Sequence, residues 1–205
     1  SIKFMIDIPA EKNTLYEILL TTTNKDQSYN TKPFGITITD EDKIHITIFP
    51  NRTLKNIQRN PEILIQFTQD ALTYTKSALS KLESDDYIDS DMKILKKTDY
   101  VIKAKVVDIK EEQIHDQFSR TMKAQIMCEI EDIQKLHDKI PTLSRPTAQI
   151  IEHLVKYSRV KFMNIDEKKA FLSEIDESAS LINRQGNEDH KEALKLIHDA
   201  LESRI

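Results

Sequence analysis

Residues 15 to about 132 repeat apolar side chains every second position, and this pattern limits the fold more than any other feature of the chain. Tyr16, Ile18, Leu20 and Thr22 share one phase, with Glu17, Leu19, Thr21 and Thr23 on the other. Phe34, Ile36 and Ile38 alternate with Gly35, Thr37 and Thr39. Ile44, Ile46 and Ile48 alternate with His45, Thr47 and Phe49. Ile63, Ile65 and Phe67, then Ile102, Ala104 and Val106, then Met122, Ala124, Ile126, Cys128 and Ile130 continue it. A period of two puts one face of each strand in a core, and the β-branched content suits that pleated surface. The connections "NKDQSYN" and "DEDK" are short and turn-like, so neighbouring strands pair antiparallel. About six strands with one buried face each predict a closed or nearly closed barrel.

The period then changes. "RPTAQIIEHLVKYSRVKF" sets Ile150, Ile151, Leu154 and Val155 on one side of a helix, with Pro146 suited to its first turn. Asn164 and Glu167 have the spacing of a capping box. Phe171, Leu172, Ile175, Ala179 and Ile182 follow at helical spacing, and Gly186 suits the end of that helix. Ala193, Leu194, Ile197 and Leu201 form a last stripe. The expected organisation is a β domain over 1–142 and a helical subdomain over 143–205. "SALSKLESDDYIDSDMKILKK" (77–97) reads as a long polar connection with short helices at most.

Composition removes several functional classes. The net charge of −4 argues against general nucleic-acid binding. Apolar runs are too short to span a bilayer, and the start of the chain lacks a signal-peptide pattern. One cysteine, Cys128, excludes an intramolecular disulfide. These features predict a cytoplasmic protein with no membrane partner. With only two glycines, there is no GxGxxG and no GxxxxGK[ST] loop. The six histidines are scattered and no metal site is expected. His45 falls on an outward phase and is expected in solvent. Cys128 falls on the inward phase and reads as a small core residue. "ESDDYIDSD" lacks the turn glycine and the terminal Glu of a calcium loop. Glu152 and Arg159 share a helix face, as packing or a dimer contact.

One stretch offers something positive. "IFPNRTLKNIQRNPEILIQF" leaves a strand, opens a short helix on Asn51, Arg52 and Thr53, and closes it at Asn60-Pro61. Adjacent strand ends of a small barrel converge on one rim. That rim would collect Thr21, Thr22 and Thr23, then Lys32 and Pro33, then Asn51, Arg52, Thr53, Lys55 and Asn56. Arginine grips phosphate through paired hydrogen bonds, and a helix start adds unpaired amides and its dipole. Phe34, Phe49 and Phe67 are available to flank a flat ring. The alternative is plain: threonine favours strands, Arg52 and Lys55 cover a solvated helix face, and Asn51 or Thr53 is an ordinary cap.

The order of these elements resembles the FMN-binding split barrel of pyridoxamine-phosphate oxidase-like and flavin reductase-like proteins. More narrowly, the chain resembles a mainly archaeal family of flavin-nucleotide-binding proteins of unknown function. "YEILLTTTN", "KPFGITI", "IFPNRTLKNIQRNPEILIQFTQDALTY", "SAL" and "RPTAQIIEHLVKYSR" carry the likeness, which covers nearly the whole chain. The resemblance implies a mainly β, six-stranded antiparallel barrel with a C-terminal helical subdomain. It also implies a homodimer with FMN at the subunit interface. The phosphate would lie on Arg52, Thr53, Lys55 and Asn56, with Lys32 and Thr22 lining the same pocket. Thr68 and Gln69 would reach the ring. The chain departs from the family at Pro50-Asn51, where a small residue or glycine is common. Three functions follow as expectations. One is an FMN-dependent oxidoreductase taking electrons from a reduced nicotinamide. The second is a non-enzymatic FMN carrier, store or sensor. The third is a cofactor-free interaction module built on the helical tail.

Overall fold

A computed structural model describes residues 10–115 and 120–205. The chain divides into two compact units. One comprises residues up to 68 together with 83–140; the other comprises 69–82 with 141–205.

The first unit contains β1 (Leu15–Thr23), β2 (Tyr29–Asp40), β3 (Lys43–Ile48), α1 (Arg52–Arg59), β4 (Glu62–Phe67), β5 (Tyr100–His115) and β6 (Arg120–Lys135). The six strands close into an antiparallel barrel in the order β1-β2-β3-β6-β5-β4. Leu20 stands opposite Ile65 and so joins the last strand in that order to the first. The even-numbered phase of β1, β2 and β3 points inward: Ile18, Leu20, Ile36, Ile38, Ile44, Ile46 and Ile48 are all at or below 1% exposure. Ile63, Ile65, Ile102, Ala104, Ala124, Ile126, Cys128 and Ile130 complete the core. Alternation alone therefore located the barrel interior, because a one-residue slip would turn each whole set to solvent. Burial pushes the Cys128 thiol up to about 12, as expected of a core residue. His45 is half-buried rather than solvated, and its Nε2 lies 2.6 Å from Gln125 Oε1 on β6.

The seam between β2 and β3 is incomplete. Pairing runs from Asp40–Lys43 to Ile36–Ile46, yet β2 begins seven residues earlier, at Tyr29. Residues 29–35 pair only with β1. Pro33 falls in this half, where its missing N–H removes no bond to β3. The barrel is thus split beside Phe49, which is 54% exposed. Phe34 and Phe67 instead pack against the core.

The long connection is more ordered than its polarity suggests. A 3-10 turn spans Ser84–Asp86, and Tyr87 bridges Leu95. Gln66, fully buried on the outer face of β4, fastens it there. Its Nε2 donates to Thr21 Oγ1 at 2.7 Å and to the Lys93 carbonyl at 2.9 Å. Its Oε1 accepts from the Leu95 N–H and the Thr98 hydroxyl.

The second unit contains α2 (Ala71–Ala78), α3 (Arg145–Tyr157), α4 (Ile165–Gln185) and α5 (Glu188–Glu202). Phe171, Ile175 and Ile182 of α4, Ile150 and Leu154 of α3, and Ala193, Leu194, Ile197 and Leu201 of α5 are buried. The Asn164–Glu167 capping box forms, and Pro146 lies in the first turn of α3. Gly186 ends α4, but with φ −92°, not in the left-handed region. A Cβ there would meet the Ile182 carbonyl at 2.7 Å, so close approach requires glycine. Helix α2 was not foreseen. It buries Ala71, Tyr74 and three small polar residues, so its apolar stripe is too weak to read from periodicity.

Candidate functional site

The three consecutive threonines of β1 have separate tasks. Thr21 faces outward, bonds Thr31 Oγ1 at 2.9 Å and accepts from Gln66. Thr22 faces inward at the barrel rim and is 1% exposed. Its hydroxyl accepts from Asn56 Nδ2 at 3.0 Å. Thr23 contributes its backbone carbonyl, which accepts from Arg59 at 2.9 Å.

These bonds fix α1 across the end of the β1–β2 hairpin. Asn56, 3% exposed, also donates to Asn24 Oδ1 at 2.9 Å, and its own Oδ1 accepts from Arg59. Asn30 Nδ2 reaches Thr53 Oγ1 at 3.2 Å. Asn51 caps the helix: its Oδ1 accepts from the Leu54 N–H at 2.9 Å. Leu54 and Ile57 turn inward onto the core. Thr53 and Asn56 are therefore consumed in holding the helix, while Arg52 and Lys55 remain exposed on its other side.

Lys32 completes the arrangement. It pairs with Leu20, so it emerges on the inward phase at the rim. Burial lowers its pKa, and the nearby Arg52 guanidinium lowers it further. Arg52 also lies near enough to Asp26 to act on its charge. Its carboxyl is held low chiefly by hydrogen bonds from Ser28, with a smaller effect from Arg52. The rim therefore brings two cations together beside a helix start. Neither gains from the other, and an anion between them would stabilise both.

The remaining expected residues lie elsewhere. Pro33 is on the unpaired half of β2, and Phe49 borders the open seam. Strand β4 leaves α1 and runs back along β1, so Thr68 emerges roughly 20 Å away by strand rise. There its hydroxyl donates to the Lys97 carbonyl at 2.7 Å. Gln69 belongs to the helical unit, where its Oε1 accepts from the Thr142 N–H at 3.2 Å. The sequence offered no sign that Asn24, Asn30 and Arg59 would brace α1, because these contacts join residues far apart in the chain.

Two cavities stand out among the described residues. One of about 440 Å³ begins at Asn51 and Arg52 and runs between α1 and β6. Another of about 760 Å³ lies between α3 and α4. Its polar groups largely serve one another: Lys156 pairs with Glu174 at 2.7 Å, and His153 Nε2 bonds Ser178 Oγ at 2.8 Å. Burial lowers the His153 pKa. Glu152 and Arg159 both line this cleft. No metal-holding cluster occurs among the described residues.

A closed six-stranded antiparallel barrel, unpaired along half of one seam, in a chain that also carries a separate helical unit, defines a protein of the FMN-binding split-barrel fold. The chain belongs to the family described as protein of unknown function DUF447. Its N-terminal-domain model matches residues 16–131, and the family's second model matches 144–199. The uncharacterized protein MJ1453 of Methanocaldococcus jannaschii is 25% identical over 186 residues, covering 87% of this chain and 94% of that protein. The crystal structure of the FMN-bound protein MM1853 from Methanosarcina mazei, of the same family, superposes with a TM-score of 0.71. The two share 20% identity over 93% of this chain and 96% of that one. No described helix is long and apolar enough to cross a membrane.

Proposed function

We infer that this chain binds FMN and anchors its phosphate between Lys32 and Arg52 at the start of α1. The observation that carries this reading is the pair itself: a half-buried lysine whose charge is disfavoured by burial and by a neighbouring guanidinium. A dianion at that point would relieve both effects. The FMN-bound family member supports the choice of cofactor. Lys55 adds charge, and the backbone amides after Asn51 add donors. Thr22, Thr53 and Asn56 act indirectly, by holding α1 in place. A flat ring would lie at the open seam, beside Phe49 and the unpaired half of β2.

When bound, the flavin would supply hydride and single-electron chemistry. The protein's residues would fix its phosphate and orient its ring. An oxidoreductase taking electrons from a reduced nicotinamide is the activity this arrangement serves best, with a second copy of the chain covering the seam. A carrier or sensor uses the same site without a second substrate.

The test is the visible spectrum of the purified protein after loading with FMN and gel filtration. Retained flavin absorbance supports the reading, and a colourless protein refutes it. For the retained form, oxidation of reduced nicotinamide faster than free FMN supports would establish the enzyme. A rate equal to free FMN would leave the carrier.

A further inference from the structure

Helix α3 buries Pro146, Ile150, His153 and Leu154 inside the helical unit. Its opposite face is open. Ala148, Glu152, Val155 and, just past the helix end, Arg159 are exposed there, with Val155 at 44%. Steps of four, three and four residues are the seam spacing of a helix that packs along a second helix. The 760 Å³ cleft between α3 and α4 adjoins this seam, and Glu152, Val155 and Arg159 line it together with Met163 and Leu181.

The floor of the cleft is already satisfied. Ser178 gives its proton to the Ile175 carbonyl at 2.7 Å, so it accepts from His153 Nε2 at 2.8 Å. Lys156 spans the cleft to Glu174. A small polar ligand would find these deeper partners occupied. What remains is on the rim: an exposed valine, and Glu152, Glu177 and Arg159, which form no ion pair among the described residues.

The rim has a symmetry of its own. Glu152 and Arg159 lie equally far on either side of the midpoint between Val155 and Lys156. Two copies of α3, antiparallel about a two-fold axis at that midpoint, set Glu152 of each opposite Arg159 of the other. The two valines then meet at the axis. A parallel arrangement would put like charges together, so the pattern selects one orientation.

We propose that this face of α3 is a self-complementary contact between two copies of the chain, each laying its α3 along the cleft of the other. Such an interface is isologous, and every contact in it is made twice. Burying Val155 against Met163 and Leu181 supplies the attraction. The two Glu152–Arg159 pairs fix register and orientation more than strength, as exposed ion pairs do. All of these residues belong to the helical unit, so the contact stands whether or not the barrel binds FMN.

The experiment places a cysteine at position 155 and follows cross-linking of the full chain by a short bis-maleimide. Cys128 is fully buried and does not compete. Lys195→Cys, at an exposed position on α5, gives the collisional rate. Val155→Cys should cross-link at least about tenfold faster than K195C, because the axis holds the two cysteines together. Adding Glu152→Arg or Arg159→Glu sets like charges opposite each other twice and should slow V155C by about tenfold. Adding both exchanges the pairs and should return the V155C rate; damage to the fold would not be rescued in this way. The proposal is overturned if V155C reacts no faster than K195C. It is also overturned if the single reversals have no effect, or if the double reversal stays as slow as the singles.

Discussion

Replacing Arg52 by alanine separates the cradle from the fold that carries it. The side chain is exposed, and its removal breaks none of the bonds that fix α1, which run through Asn51, Thr53, Asn56 and Arg59. Its charge also opposes that of Lys32. The free variant should therefore unfold at the same temperature as the parent or slightly above it. The loss appears on binding. A charge-assisted contact to phosphate contributes about 1.5–3 kcal/mol, which is roughly ten- to hundredfold in Kd. The relaxed Lys32 recovers part of this by holding its proton more firmly, so the lower end is expected. Thermal stabilisation gives a second reading. A ligand at a hundred times its Kd adds about 2.7 kcal/mol, and a tenfold weaker ligand at the same concentration adds about 1.4. Quenching of flavin fluorescence gives Kd directly, with riboflavin as the control because it lacks the phosphate. FMN should weaken and riboflavin should not. Equal weakening of both, or of neither, would refute the phosphate assignment.

The remaining predictions concern charge, bracing and packing. FMN affinity should fall as pH rises from neutral toward the ordinary lysine value of 10.5, because Lys32 has a lowered pKa before FMN binds, while the phosphate-bound form keeps its proton. The binding reaction then takes up a proton, and Lys32→Met should give a weaker, flatter profile; an unchanged slope would show that Lys32 is not at the phosphate. Asn56→Ala removes two buried donor contacts and the acceptor for Arg59. It should cost about 2–3 kcal/mol in urea unfolding, and a loss under ~1 kcal/mol would mean α1 is held otherwise. Cys128, fully buried with its thiol pushed up to about 12, should resist alkylation in the folded chain at neutral pH and react only in denaturant. Modification at the rate of a free thiol would show that the barrel opens.

The barrel was legible because its signal repeats locally. Each strand announces its buried face by period two, and Asn60-Pro61 and the capping residues mark helix limits within a few positions. The nearness of Arg52 to Lys32 was also legible, since strand order brings their termini together. Long-range polar bonds were not. Nothing near Gln66 announces that it will be fully buried and bonded to Thr21, Lys93, Leu95 and Thr98. The same holds for the bonds of Asn56 to Thr22, Asn24 and Arg59. Helix α2 escaped because its buried face is mainly Thr73, Thr75 and Ser77, whose polarity hides a packed surface.

Helix α2 is encoded between β4 and β5 yet belongs to the helical unit. The polypeptide accordingly passes from one unit to the other near 68, returns near 82, and passes again near 140. The helices are not a tail that a gene could lose or exchange at one junction. A chain cut after residue 140 would retain α2 without the partners that cover Tyr74 and Ala71, and a chain beginning there would lack a piece of its own core. Recombination that moves one unit without the other is penalised at the level of folding. Lineages carrying this barrel and this bundle should therefore inherit them as a single cistron segment, whatever chemistry the rim comes to perform.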